Sequence, residues 1–417
     1  MHQTSTEQYR KIVAAVVAVA ARLPRSQRGA DHRRFLEAYY ANVEVEDMAA
    51  RDPAALAGAA LSHLKFAHRR RGRALVRVFN PTMREYGYSS PHTVIEMVND
   101  DMPFLVDSIG LALAHRSLTM HFLAHPIFAV ARDGAGVLRS IEQRAAGAER
   151  RQRLESFQHV EIDRVVDPAV LLSLCADIER SMRDVRVAFA DWAKMRAAAR
   201  QTSDDLNSLS SHSDERVSEA QALLSWMDRH FTFLGFKEYR LRSRRGQDAL
   251  DAVEETGLGL LRAGHKRPPS TSRTLASDIR RQSRSRDLVL VTKANLQSSV
   301  HRAGYLDYVG VKNFDAGGRL IGERRFLGLW TSSAYNSTPR EIPLVRHKVS
   351  QVVQHFALAP DSHDGKALQH ILESFPRDEL FQASVPDLIR LVTGIFGLQE
   401  RPRVRLLLRH DQFRRFY

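Results

Sequence analysis

The residues best placed to do chemistry lie in one run, Thr93 to Ile109, TVIEMVNDDMPFLVDSI. Asn99, Asp100 and Asp101 bring an amide and two carboxylates together at a chain reversal, and Met102, Pro103 and Phe104 follow at once. Two readings fit that spacing. Asp100 or Asp101 can cap a following helix by accepting from its unpaired N–H groups, with Pro103 in the first turn. Alternatively, the turn exposes N–H groups that can hold a carboxylate or phosphate, which makes Asn99, Asp100, Asp101, Met102, Pro103 and Phe104 a candidate effector site. A second polar set, Lys293, Asn295, Ser298, His301 and Arg302, follows an apolar strand pattern. It offers donors to an anion or a neighbouring domain, or forms a solvated loop.

Other chemistries lack their signatures. The segment GLGLLRAG, Gly257 to Gly264, has neither the dinucleotide-binding spacing nor the Lys and Ser/Thr of a P-loop, so no cofactor site is expected in this chain. No H-E-x-x-H or Cys/His metal spacing organises the 18 histidines, and His121 and His125 read as structural. Nor does a G-x-S-x-G elbow present a serine. The single cysteine, Cys175, excludes an internal disulfide framework. Its helical neighbours Val170, Leu171, Leu174 and Ile178 mark it as a packed thiol rather than a nucleophile.

The elements that must position the acidic turn are legible around it. Val94, Ile95, Met97 and Val98, interrupted only by Glu96, predict a strand buried on most of its surface. Leu105, Ile109, Ala112 and Leu113 recur at helical spacing. Residues 1–72 read as helical. The stretch 73–200 gives strand, strand, helix, strand, a loop after Asp133, a strand over Leu154 to Val165 and a long helix opened by Asp167-Pro168, which suits a split β-α-β unit of ferredoxin-like type. After a polar link at 201–218, the stretch 219–340 repeats that grammar, with a hairpin around the Asp-Ala-Gly-Gly turn at 315–318. A helical connector follows over 341–400, and 401–417 holds one last strand pattern, Val404 to Phe413, the start of a further sheet domain. The expected class is α+β, with tandem domains joined by helical segments.

Charge narrows the partners. The net charge of +14 comes mostly from dispersed arginines, and neither the Arg69–Arg73 nor the Arg401–Arg409 cluster is interleaved with stacking aromatics, so no nucleic-acid partner is expected. The apolar run Ile12 to Ala21 is too short to span a bilayer and is followed by Arg22, Arg25 and Arg28. A cytoplasmic protein with no membrane association is expected.

Four segments, TVIEMVNDDMPFLVDSI, LDYVGVKNFDAGGRLIGERRFLGLWTSSAYN, ILESFPRDELFQ and LQERPRVRLLLR, resemble the amino-terminal region of the large bacterial NAD-specific glutamate dehydrogenases. The resemblance runs in order from about Leu75 to the end. It implies ACT-like domains over 73–200 and 219–340 and the truncated start of a third at 401–417. It also implies NAD as cofactor of the full-length enzyme, with the glutamate and NAD sites beyond Tyr417 and this piece inactive alone. An amino-acid effector at the first strand-to-helix turn and a homo-oligomer, or docking to the enzyme's own catalytic region, are the implied partners. Met102 and Phe104 depart from the small residues usual at such a turn.

Overall fold

Period and capping in the sequence set the helices that open the chain. In the computed structural model, α1 (His2–Ala21), α2 (His32–Tyr39), α3 (Val45–Ala49) and α4 (Pro53–Phe66) precede any strand, and Asp52 caps α4 by accepting from Ala54 N at 3.0 Å. The structure describes residues 2–24, 32–143, 153–207, 214–244, 247–265, 287–315, 317, 319–399 and 403–409. It divides into two units, Met1–Arg186 with Ser299–Ala303, and Val187–Ser298 with Gly304–Tyr417.

The first unit is built on an antiparallel sheet. Its strands are β1 (Leu75–Phe79), β2 (Thr93–Asp100), β3 (Met120–Ala124), β4 (Ile127–Arg132), β5 (Leu138–Gln143) and β6 (Arg153–Ile162). Two helices interrupt them, the short α5 (Met83–Tyr86) and α6 (Leu105–Ala114). The order is β1-β2-β6-β4-β5, with β3 also on β6. Strand β6 thus lies between β2 and the β3/β4 strands that follow α6, and the β-α-β unit is split as the sequence predicts. Side chains of α1, α2 and α4, among them Val16, Leu36, Tyr39 and Leu61, share a core with Val98, Phe122, Phe128 and Phe157 of the sheet. Strand β2 is buried over Thr93–Asn99, as its run of apolar residues requires.

Two expectations change here. The single strand pattern from Met120 onwards is two strands, because His125-Pro126 interrupts the ladder and proline donates no hydrogen bond. The loop expected over Ile141 to Gln152 begins inside β5, an edge strand whose exposed Arg139, Ser140, Glu142 and Gln143 conceal its pairing with β4; the remainder of that loop lies outside the described residues.

Helix α7 (Pro168–Leu206) follows β6, and the division between the units falls within it. Its buried positions, Leu174, Ile178, Met182, Val185, Ala188, Met195, Ala199 and Leu206, keep helical spacing throughout.

In the second unit α8 (Glu215–His230) leads into β7 (Phe231–Arg244), β8 (Gln247–Ala252), β9 (Leu258–Gly259), β10 (Val289–Gln297), β11 (Tyr305–Phe314) and β12 (Leu320–Trp330). This sheet is antiparallel too, in the order β10-β11-β12-β7-β8, with β9 on β7. Among the described residues its helices precede and follow the strands rather than alternate with them, so what recurs is an antiparallel sheet packed with helices, in a different order. The predicted hairpin is β11–β12. Strand β8 was not anticipated, and most of the loop expected over Arg262 to Arg286 lies outside the described residues.

The closing helices are α9 (Ser332–Asn336), α10 (Val345–Phe356), α11 (His363–Ser374), α12 (Arg377–Gln382) and α13 (Val385–Gln399). They share a core with Phe231, Phe233, Phe236, Phe326 and Trp330, whose indole stacks on Phe381 with ring centroids 4.8 Å apart. The strand expected from Val404 is not formed over residues 403–409; the rest of that segment lies outside the described residues. A strand needs a neighbouring backbone to pair with, and none is supplied among the described residues. Residues 403–406 are all exposed, Leu408 is exposed too, and Arg409 is buried, its Nε donating to Glu379 Oε2 at 2.6 Å.

Candidate functional site

The acidic turn is held by arginines, not by the helix that follows it. Asp100 ends β2, opposite Glu155 in the ladder with β6. Its Oδ1 accepts from Arg70 Nη1 at 2.8 Å and Arg153 Nη2 at 3.0 Å, and its Oδ2 from Arg186 Nη1 at 2.7 Å. Burial opposes the charge on Asp100, but Arg70, Arg186 and Arg153 outweigh it and hold the carboxyl well below the usual carboxylate range. Beneath it, Glu155 is fully buried. Its Oε1 accepts from Arg70 Nη1 at 2.7 Å and Arg132 Nε at 2.8 Å, and its Oε2 from Arg132 Nη2 at 2.7 Å. The Asn99 Oδ1 accepts from Arg186, while its amide Nδ2 is buried without a hydrogen-bond partner.

This geometry corrects the helix-cap expectation for Asp100 and Asp101. Helix α6 begins at Leu105, and the residue in its N-cap position is Phe104, with φ 71° and no side-chain cap bond. Asp100 is held in the sheet, and the Asp101 N–H donates to Leu154 O at 3.0 Å, extending β2's hydrogen bonding past its last residue. Pro103 accordingly lies before the first helical turn, and Met102 and Phe104 are half-buried. A left-handed Phe costs on the order of 1–3 kcal/mol, so its surroundings must hold it. The ring of His301 lies 4.7 Å from that of Phe104, with His301 Nδ1 2.9 Å from Asp107 Oδ2 and its backbone N–H donating to Ser108 Oγ at 3.2 Å, all within the first unit.

The second predicted set does not form one site. Lys293 and Asn295 lie on β10 and Ser298 just after it, in the second unit, whereas His301 and Arg302 belong to the first. Lys293 Nζ sits 2.6 Å from Asp307 Oδ1 and 3.0 Å from Asp378 Oδ2, and Asp307 Oδ2 accepts from the Trp330 N–H at 3.0 Å. Burial raises the Asp307 carboxyl, Lys293 pulls it back and Asp378 raises it again, leaving it at about 6. The arrangement is an internal charge pair tying β10 and β11 to α12.

Sequence reasoning missed a buried cluster further along the same face of β2. His63, Glu96 and His159 come from α4, β2 and β6, and among the described residues they are the one group of three potential metal-ligand side chains, with ligand atoms within 4.8 Å of one another. Each is already engaged. His63 Nδ1 lies 2.7 Å from Tyr39 Oη and its Nε2 3.2 Å from Met97 O, Glu96 is paired with Arg77, and His159 Nδ1 is 3.3 Å from Glu96 Oε1. Arg51 binds Glu161 Oε2 at 2.9 Å, and the other Glu161 oxygen lies 3.8 Å from His159 Nε2. The chemistry is that of a charge relay with an imidazole between two carboxylates, and a cation there would have to displace these partners. Burial pushes His63 down to about 4; for His159 burial is outweighed by Glu161 and Glu96, which push it up.

The remaining candidates read as structural. His121 pairs with Asp163 at 2.7 Å and His125 with Ser156 at 2.7 Å. Cys175 Sγ lies 3.7 Å from Val76 O, and burial pushes the thiol up, away from nucleophilic reactivity. No helix among the described residues is long and apolar enough to cross a membrane.

Residues 35–178 match the family model "Glutamate dehydrogenase, ACT1 domain", and residues 342–401 match "Glutamate dehydrogenase, helical motif 1". The chain is 36% identical over 398 residues to the NAD-specific glutamate dehydrogenase of Halomonas elongata, covering 94% of this chain and 24% of that protein. The Pseudomonas aeruginosa protein of the same name is 34% identical over 388 residues, 92% of this chain and 24% of its own length. That of Mycobacterium tuberculosis is 25% identical over 330 residues, 77% of this chain and 19% of its own. The chain thus spans about a quarter of the length of the first two relatives. With two domain models of one enzyme family matched and about a third of its residues shared along nearly its whole length, the chain is similar to the bacterial NAD-specific glutamate dehydrogenases over about a quarter of their length.

Proposed function

We propose that this chain is the amino-terminal regulatory and assembly region of an NAD-specific glutamate dehydrogenase. The complete enzyme would convert L-glutamate, NAD and water to 2-oxoglutarate, ammonia and NADH. Turnover would belong to a catalytic region that this chain does not contain, because hydride transfer needs a nicotinamide site and a positioned base, and the sequence carries neither motif. The observation that carries the reading is the match of residues 35–178 to the ACT1 domain of this enzyme, with the β2–α6 turn inside it. That turn, Asn99 to Phe104, is the effector contact, and a second copy or the catalytic region is the docking partner. NAD serves the complete enzyme.

A chimera tests this. Residues 1–399 would replace the matching region of the Pseudomonas aeruginosa relative, and glutamate-dependent NADH formation would be followed with and without a panel of amino acids. The reading expects turnover to be retained and to respond to at least one amino acid, the response being lost in Asn99→Ala while basal turnover persists. A chimera whose rate ignores every amino acid, or whose response survives Asn99→Ala, refutes the effector role.

A further inference from the structure

We propose that the corner formed by Asn99, Arg153 and Arg186 binds a small dianion, a dicarboxylate or a phosphate monoester; this rests on the effector reading of the turn and narrows its ligand class. The argument starts from charge. Four guanidinium groups, Arg70, Arg132, Arg153 and Arg186, converge on two carboxylates, Asp100 and Glu155, within hydrogen-bond distance. Four positive charges less two negative leave two in excess at one end of the sheet. Asp101, the other acid of the turn, acts electrostatically on His125.

The excess is not distributed evenly. Arg70 and Arg132, with side chains 0% and 2% exposed, are consumed by the half-buried Asp100 and the buried Glu155. Arg153 and Arg186, at 44% and 33%, reach solvent. Each guanidinium carries five N–H donors. The contacts described for Arg153 are to Asp100 and Glu155, and those for Arg186 are to Asp100 and Asn99. Donors therefore remain on both.

An independent observation points the same way. The Asn99 amide Nδ2 is fully buried at this corner and has no acceptor. A buried donor left unmade is costly, and an anionic oxygen is the group that would satisfy it. Its own Oδ1 is already fixed by Arg186 and by the Asp100 N–H at 3.0 Å, so the amide cannot simply be turned over. Planar or tetrahedral oxygens match the paired donors of a guanidinium, which favours carboxylate and phosphate over halide.

Thermal melting of the chain with succinate, inorganic phosphate, a panel of zwitterionic amino acids or chloride at matched ionic strength tests the proposal. Succinate or phosphate should raise the Tm saturably, by about 5–10 °C at a hundredfold excess over Kd, and the better of the two identifies the source chemistry. Chloride should not. In Arg153→Gln with Arg186→Gln the rise should vanish, the near-UV circular dichroism of the variant confirming its fold. As a second readout on the unaltered chain, the bound dianion should shield Arg153 and Arg186 from phenylglyoxal at least tenfold. Equal stabilisation by chloride, or a rise that survives the double substitution, overturns the site. If a zwitterionic amino acid alone stabilises, the dianion assignment fails and the effector turn stands; if nothing stabilises, both fail.

Discussion

Glu155→Gln removes one charge and almost no volume, which makes it a clean probe of the arginine-held corner. Glu155 and the side chain of Arg70 are fully buried, and Arg132 grips both Glu155 oxygens at 2.8 and 2.7 Å. The substitution would leave Arg132 without a counter-charge and Arg70 with Asp100 alone, and breaking one partner of a buried pair costs about 3–5 kcal/mol. For a unit of this size each kcal/mol moves the midpoint by about 2–4 °C, so the Tm should fall by about 6–20 °C in calorimetry. Adding Arg132→Met should recover part of the loss, because it removes the orphaned guanidinium. A fall below about 2 °C for Glu155→Gln would refute the claim that this carboxylate neutralises the buried arginines.

Further outcomes follow from the rest of the structure. His63 is held near 4 against about 6.5 in the unfolded chain, so the unfolded state binds more protons between those values. Stability of the first unit should therefore drop by about 3 kcal/mol as pH falls through that window. His159 is raised instead, so its contribution is complete below about 6.5 and fades as pH rises through its higher folded value. Urea titrations across pH should place the optimum near 6.5, and His63→Leu should flatten the acid limb. Gly136→Ala should cost about 2–3 kcal/mol in chemical denaturation, since its φ is +81° and a Cβ would stand 2.3 Å from Arg70 O. Trp330→Ala should cost the second unit about 3–5 kcal/mol, read by urea unfolding, because the indole is buried and stacked on Phe381.

What could be read from the chain was whatever depends on near neighbours. The apolar run of β2, the helical spacing after Pro103 and the β11–β12 hairpin each announce themselves within a dozen residues. The arginine corner does not, because Arg70, Arg132, Arg153 and Arg186 come from a loop, two strands and a helix, and only the closed sheet brings them to Asp100. Nor does the His63–Glu96–His159 cluster, for which Glu96 was visible as the one charge in an apolar strand, but its partners on α4 and β6 were not. The cap expectation failed for a related reason: local spacing favours Asp100 or Asp101 as a helix cap, but three guanidiniums hold Asp100 at the end of β2 and a sheet hydrogen bond to Leu154 O holds Asp101 just beyond it.

The proposed function makes this chain a regulatory region with no turnover of its own. The most direct test is glutamate-dependent NADH formation by the purified chain, at saturating glutamate and NAD. No turnover above the blank is expected, with or without effectors; sustained NADH formation would contradict the proposed function.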